Sequence, residues 1–96
     1  MIELFQAEWC PSSHRVRERL TELGIDYVNR QAPPAREDRR ALRRAVGTDS
    51  IPVLRFEDCR AIVGEENILR YLGAHFVEPL EAKQHRKRAA EVIAAA

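Results

Sequence analysis

Residues 2–24 read IELFQAEWCPSSHRVRERLTELG, and this stretch contains the first predicted strand and helix. Apolar residues within 2–6, with no helix breaker among them, predict a short buried strand. Pro11 follows Cys10, and proline is favoured at the first position of a helix. The apolar residues after it fall at i, i+4 and i+7, which predicts an amphipathic helix that ends at Gly24. They are Val16, Leu20 and Leu23. The pattern therefore predicts a strand that passes directly into a helix at Cys10.

The remaining segments continue this alternation. They are predicted strands over 25–29, 51–56 and 60–63 and predicted helices over 36–46 and 64–76. We expect strands joined through helices to be parallel and the last two strands to form an antiparallel hairpin. The order is βαβαββα, which predicts an α/β fold with a mixed four-stranded sheet flanked by helices over residues 1–78. After Pro79, the helix-forming composition of 79–96 predicts a C-terminal helical extension.

Composition narrows the classes of function. A length of 96 residues fits one domain, and a net charge of +1 argues against a nucleic-acid partner. No apolar run approaches the ~20 residues that span a membrane, and no signal peptide pattern is visible at the start. The two cysteines, Cys10 and Cys59, cannot form a four-cysteine metal site. We expect a cytoplasmic monomer without a metal, in which Cys59 is structural or incidental.

Cys10 is the candidate reactive group. Its sulfur is predicted to lie near the first free N–H groups of the helix, where the helix dipole places roughly +0.5 elementary charge. A thiolate is favoured there, and the N–H groups of Ser12 and Ser13 add to the effect. The alternative is a small buried residue at the end of a strand. The placement before Pro11 favours a reactive thiol.

Three motifs in order now support a resemblance. They are Trp9-Cys10-Pro11-Ser12-Ser13, Ser50-Ile51-Pro52-Val53-Leu54 and Gly64-Glu65-Glu66. Together they resemble the glutaredoxins and the N-terminal domain of glutathione transferases, and the resemblance implies a thioredoxin fold. Monothiol relatives that carry iron–sulfur clusters present a Cys-Gly-Phe-Ser sequence, from which Cys10-Pro11-Ser12-Ser13 departs.

The resemblance also assigns roles at the thiol. Cys10 matches the nucleophile, and Ser13 matches the second cysteine of two-thiol forms, which implies monothiol chemistry because a serine does not resolve a mixed disulfide. Pro52 would follow a cis peptide bond, and the backbone of Ile51 would pair with the cysteinyl part of a peptide thiol. Trp9 would form one wall of the groove.

Two features affect the choice of thiol. Glu65 and Glu66 match the turn that holds the γ-glutamyl end of glutathione, but two acids there also complement a helix dipole, and both interpretations stay open. Ala7 stands where many glutaredoxins carry a lysine. Arg39 or Arg43 are candidate substitutes, although their arginine-rich segment is typical of a solvated face.

The resemblance predicts a monothiol thiol–disulfide oxidoreductase. Its co-substrate would be glutathione or another low-molecular-weight thiol, and its substrates would be thiolated proteins. The alternative is a non-catalytic glutathione-binding or partner-docking module that resembles a transferase N-terminal domain. Transferase activity of this chain by itself is disfavoured, since residues 79–96 leave no room for the helical second domain.

Overall fold

The computed structural model describes residues 1–95, which form a mixed four-stranded sheet with flanking helices. The strands are β1 (Glu3–Gln6), β2 (Val28–Gln31), β3 (Val53–Arg55) and β4 (Ala61–Val63). The helices are α1 (Pro11–Glu22), α2 (Arg40–Val46), α3 (Glu65–His75) and α4 (Glu81–Ala95), with a 3₁₀ turn at Arg36–Asp38 before α2. The predicted fold class is confirmed, and the predicted extension contains α4.

The sheet order is β2-β1-β3-β4. β1 and β2 are parallel, whereas β3 is antiparallel to both β1 and β4. The prediction that all strands joined through helices are parallel is therefore wrong for β3. The last residue of β2, Gln31, pairs with Gln6, and the first residue of β3, Val53, pairs with Phe5. The chain thus re-enters the sheet at the end where it left, because the connection through α2 does not cross the length of the sheet.

Two predicted boundaries move for local reasons. The strand predicted over 25–29 begins only at Val28, because the N–H of Ile25 donates to Leu20 O (2.9 Å) and so still belongs to the end of α1. The helix predicted over 36–46 is interrupted at Arg39, whose ψ of 43° is not helical. That side chain turns inward instead and is 4% exposed.

The core lies between the sheet and two helices, α1 and α3. Its fully buried side chains are Leu4, Val16, Leu20, Leu54, Ile68 and Leu72. Each such side chain stabilises the fold by roughly 1.5–3 kcal/mol relative to an exposed position. This core fixes α1 against the sheet, and with it the position of Cys10.

α4 packs outside this core against α1. Ala82 is buried, and the guanidinium of Arg86 donates to Glu22 (3.0 Å) and to Glu78. Among residues 1–95, no helix combines the length and apolar character needed to cross a membrane.

Candidate functional site

Cys10 is the N-cap residue of α1. Its backbone is extended (φ −78°, ψ 119°), and its Sγ accepts a hydrogen bond from the N–H of Ser13 at 3.5 Å. The N–H of Cys10 donates to Ala7 O (3.1 Å), which closes a tight turn between β1 and α1. Pro11 is the first residue of the helix, as predicted. The sulfur is partly exposed and faces the open N–H groups of the helix.

Ser13 lies under the thiol and is fully buried. Its Oγ accepts from the N–H of Ala7 at 3.4 Å, and its hydroxyl donates to Cys10. Partial burial raises the pKa of the Cys10 thiol. The hydrogen bonds from the hydroxyl and N–H of Ser13, that from the N–H of Ser12, and the charge of Arg17 together outweigh burial and lower it. The thiolate is therefore favoured at this position.

A groove of about 320 Å³ opens beside the sulfur. Its lining consists of Trp9, Cys10, Pro34, Arg36, Arg39, Ser50 and Ile51. Trp9 is 64% exposed and lies in the lining of this groove. The Ile51–Pro52 peptide bond is cis, as the resemblance implied. Within residues 1–95 the main chain of Ile51 makes no hydrogen bond, which leaves its polar groups open to a ligand.

The arginines beside the groove differ in their hydrogen-bond partners and exposure. Arg39 donates to three carbonyl oxygens, those of Pro33 (2.8 Å), Asp49 (2.9 Å) and Pro34 (3.2 Å), so its guanidinium is already committed. Arg36 donates to Asp49 Oδ1 (2.8 Å) and Ser50 Oγ (3.0 Å), yet its side chain is 63% exposed. The guanidinium of Arg36 lowers the pKa of Asp49.

Arg43 also contacts Asp49 but is not part of the groove lining. It donates to Asp49 Oδ2 at 3.4 Å and to main-chain oxygens of the 3₁₀ turn. The groove-facing, solvent-accessible cation is thus Arg36 rather than Arg39 or Arg43. Sequence reasoning placed Arg36 on a solvated face, and no local signal set it apart from its arginine neighbours.

Glu65 joins the start of α3 to α1. Arg15 binds both carboxylate oxygens of Glu65, with Nη2–Oε1 at 2.8 Å. That bond, followed by one from the Ser12 hydroxyl, lowers the pKa of Glu65. Glu65 is therefore held near the N-terminal end of α1, the helix that begins after Cys10.

Glu66 lies further out. Its side chain is 87% exposed and pairs with Arg70 at 3.0 Å. Cys59 is also outside the site, exposed in the turn between β3 and β4 with a φ of 70°. The structure thus brings Trp9, Cys10 and Ile51 together around one groove and leaves these two residues away from it.

A mixed sheet with a cysteine at the first helix and a cis-proline beside it defines a thioredoxin-like fold. Residues 4–80 match the family described as "Glutathione S-transferase, N-terminal domain", and the chain belongs to that family. Among curated proteins, no relative of this sequence is found.

Solved structures agree with this assignment. A glutathione S-transferase from Rhodospirillum rubrum F11 superposes with a TM-score of 0.70 at 25% identity, over 82% of this chain and 35% of its own. A glutathione S-transferase from Sinorhizobium meliloti 1021 superposes with a TM-score of 0.67 at 29% identity, over 75% of this chain and 31% of its own. Glutaredoxin 2 from Salmonella typhimurium, solved in complex with glutathione, superposes with a TM-score of 0.65 at 19% identity, over 75% of this chain and 32% of its own. This likeness shows a shared fold. The chain spans about a third of the length of these relatives. The predicted resemblance is confirmed.

Proposed function

We propose that this chain is a monothiol thiol–disulfide oxidoreductase that acts on mixed disulfides of glutathione or a similar small thiol. One observation carries the proposal. The Cys10 sulfur caps α1 with a lowered pKa. By resemblance, Ser13 matches the second cysteine of two-thiol relatives, so no second thiol is expected to take part. A low-pKa thiolate at a partly exposed helix N-terminus is the usual environment of a reactive cysteine.

The reaction has two displacement steps. The Cys10 thiolate attacks the small-thiol sulfur of a mixed disulfide, so that a Cys10–small-thiol disulfide forms and the target protein leaves as a thiolate, which takes a proton from water. A second small-thiol thiolate then attacks the small-thiol sulfur bound to Cys10. Cys10 leaves as thiolate, and the two small thiols depart as a symmetric disulfide. The target disulfide gains two electrons, which the small thiols supply.

The small thiol would lie along the groove. The open main chain of Ile51 would pair with its cysteinyl part, and Trp9 would cover one side. Arg36 would meet a carboxylate at one end, since an exposed guanidinium binds carboxylates through two parallel hydrogen bonds. At the other end, the Arg15–Glu65 pair would meet charged groups of the ligand.

A non-catalytic binding module is the second candidate. It is favoured by the engagement of Glu65 with Arg15 and Ser12, which occupies the acid that would otherwise meet a ligand ammonium group. Such a module would bind a small thiol or a partner at the same groove without exchanging disulfides. In either case we propose action as a cytoplasmic monomer, away from membranes and nucleic acids.

The two candidates differ in one experiment. The purified protein is mixed with a glutathionylated peptide and free glutathione, and release of the reduced peptide is followed in the unmodified protein and in Cys10→Ser and Cys59→Ser variants. The oxidoreductase predicts rapid release that is lost in Cys10→Ser and kept in Cys59→Ser, the matched control. Ligand binding without release in the unmodified protein would instead establish the binding module. Repeating the assay with other small-thiol disulfides identifies the preferred thiol.

A further inference from the structure

Arg17 occupies an unusual position for an arginine in an amphipathic helix. Its side chain is only 13% exposed, and burial of a cation is costly unless hydrogen bonds replace its water. Its Nη1 donates to Oε1 of Gln6, and its Nη2 donates to Glu8 Oε1 at 3.1 Å. The same Nη2 lies 3.5 Å from His14 Nδ1. These contacts join α1 to both sides of the turn that precedes Cys10.

Gln6 makes this connection rigid. It is fully buried at the end of β1, and its Nε2 donates to Asn29 Oδ1 (2.9 Å) and Gln31 Oε1 (3.1 Å) of β2. With its oxygen taken by Arg17, all the polar atoms of the Gln6 amide are satisfied. Because the Gln6 side chain is fully buried, any departure from this arrangement would leave a buried amide group without a partner.

The turn held in this way is the one that presents the thiol. Ala7 lies between Gln6 and Glu8, its carbonyl accepts from the N–H of Cys10, and its N–H donates to Ser13 Oγ. A shift of Ala7 would move both the cysteine backbone and the serine hydroxyl beneath the sulfur. Arg17 therefore contacts the two residues that fix Ala7 on either side.

We propose that Arg17 is a positioning residue for Cys10, acting through Gln6 and Glu8 to hold the turn that sets the thiolate on the N-terminus of α1. The inference deepens the proposed function and rests on it for its catalytic meaning. After burial and the bonds from Ser13 and Ser12, the charge of Arg17 also contributes to the pKa of Cys10.

Other charged and titratable groups lie on the elements that form the site. They are His14 and Arg15 of α1, Glu8 of the turn, Glu65 of α3, and Arg36 and Arg39 of the groove. Arg17 differs from the other cations in this set by its bonds to both Gln6 and Glu8. Glu8 partly neutralises it, so the two residues are expected to act on the thiol in opposite directions.

The test compares Arg17→Gln, Glu8→Gln and Arg19→Gln. Arg19 is the matched control, since it is a partly buried arginine on the same helix that bonds Glu22 and Glu78 instead of the turn. Two properties of Cys10 are measured without any small thiol or disulfide. They are its pKa from the ultraviolet absorbance of the thiolate against pH, and its alkylation rate by iodoacetamide, with Cys59→Ser as background.

We expect Arg17→Gln to raise the pKa of Cys10 and to slow its alkylation below that pKa by about five- to tenfold, the scale of one nearby charge. Glu8→Gln keeps an oxygen that can accept from Arg17 but removes a negative charge, so it is expected to lower the pKa. Arg19→Gln is expected to leave the pKa unchanged even where it lowers stability. If Arg17→Gln does not fold, Arg17→Lys replaces it, since it keeps the charge but loses the double contact, and slower alkylation is again expected.

An unchanged pKa and alkylation rate in the Arg17 variant, with only a lower stability, would overturn the proposal and leave Arg17 with a purely structural role. Because these measurements need no exchange reaction, they stand whether or not the unmodified protein reduces a mixed disulfide. Loss of the proposed function would appear separately, as absent peptide release by the unmodified protein.

Discussion

Replacing Ser13 with alanine separates the two tasks of this buried hydroxyl. The change removes the acceptor of the Ala7 N–H and the donor to the Cys10 sulfur but keeps the Ser13 N–H, which lies 3.5 Å from Sγ. An unsatisfied buried N–H costs about 1–3 kcal/mol, and the long Ala7–Ser13 distance of 3.4 Å places this case near the lower end. For a domain of this size, about 1 kcal/mol corresponds to a fall of roughly 4–8 °C in Tm.

The hydrogen bond from the Ser13 hydroxyl to the Cys10 sulfur makes the loss of stability in Ser13→Ala depend on pH. The pKa of Cys10 is lower in the folded protein than in the unfolded chain, so the thiolate contributes stability that is present above the unfolded pKa and is lost as pH falls through the folded pKa. Ser13→Ala raises the folded pKa and shrinks that contribution. The stability difference between the two proteins is therefore expected to grow as pH rises through this interval.

Urea unfolding at successive pH values, alongside the thiolate absorbance of the folded proteins, measures both parts. Cys10→Ser with and without Ser13→Ala provides the control, because the pH-dependent part requires the sulfur. A stability difference that is the same at every pH, together with an unmoved pKa of Cys10, would refute the assignment of the Ser13 hydroxyl as a thiolate donor. The constant loss near 1 kcal/mol would then report only the bond to Ala7.

Three further predictions concern the scaffold. Leu54→Ala empties a fully buried position in β3 and is expected to lower the free energy of unfolding by about 2–5 kcal/mol in urea titration; a loss below 1 kcal/mol would contradict the core described here. Gly73→Ala, inside α3 with open space at the added Cβ, is expected to raise the free energy of unfolding by about 0.5–1 kcal/mol. Gly47→Ala, at a φ of 78°, is expected to lower it by about 1–2 kcal/mol. Changes of the same sign for both variants would contradict this assignment of helical and left-handed glycines. Hydrogen bonds from Arg86 and, to a smaller extent, Arg19 lower the pKa of Glu78 from 4.5 to about 2. The ionised Glu78 therefore contributes stability that is present above pH 4.5 and is lost as pH falls toward 2. Glu78→Gln is expected to flatten this part of the acid unfolding curve, and an unchanged curve would show that the Glu78–Arg86–Arg19 contacts add nothing to stability.

The elements that sequence alone predicted well are those with a strong local signal. Pro11 and the apolar spacing of α1 fixed the start and face of that helix, and the N-cap position of Cys10 followed from the same few residues. These features depend on neighbours in the chain, since caps and amphipathic periodicity act within one or two turns. The position of Cys10 at the start of α1 could therefore be predicted before any tertiary contact was known.

The elements that sequence predicted poorly depend on distant partners. The direction of β3 follows from where the connection through α2 returns to the sheet, and β2 carries polar residues whose partners are on β1. Arg39 breaks a helical pattern because its guanidinium satisfies carbonyl oxygens on both sides of the groove. Nothing in the arginine-rich pattern of 36–44 marks one side chain as buried, since burial of a charge is decided by partners remote in sequence.

The thiol and the groove beside it depend on different segments of the chain. The bonds that lower the pKa of the thiol come from residues 7–17, one continuous segment, whereas the groove beside it also draws on the separate segment at Ser50 and Ile51. Under the proposed function, the first segment would set the reactivity of the thiol, and the second would contribute to the choice of small thiol. We therefore expect substitutions at Ser50 or Arg36 to change which small thiol binds without disturbing the thiolate, because they leave the N-cap and the turn before it intact.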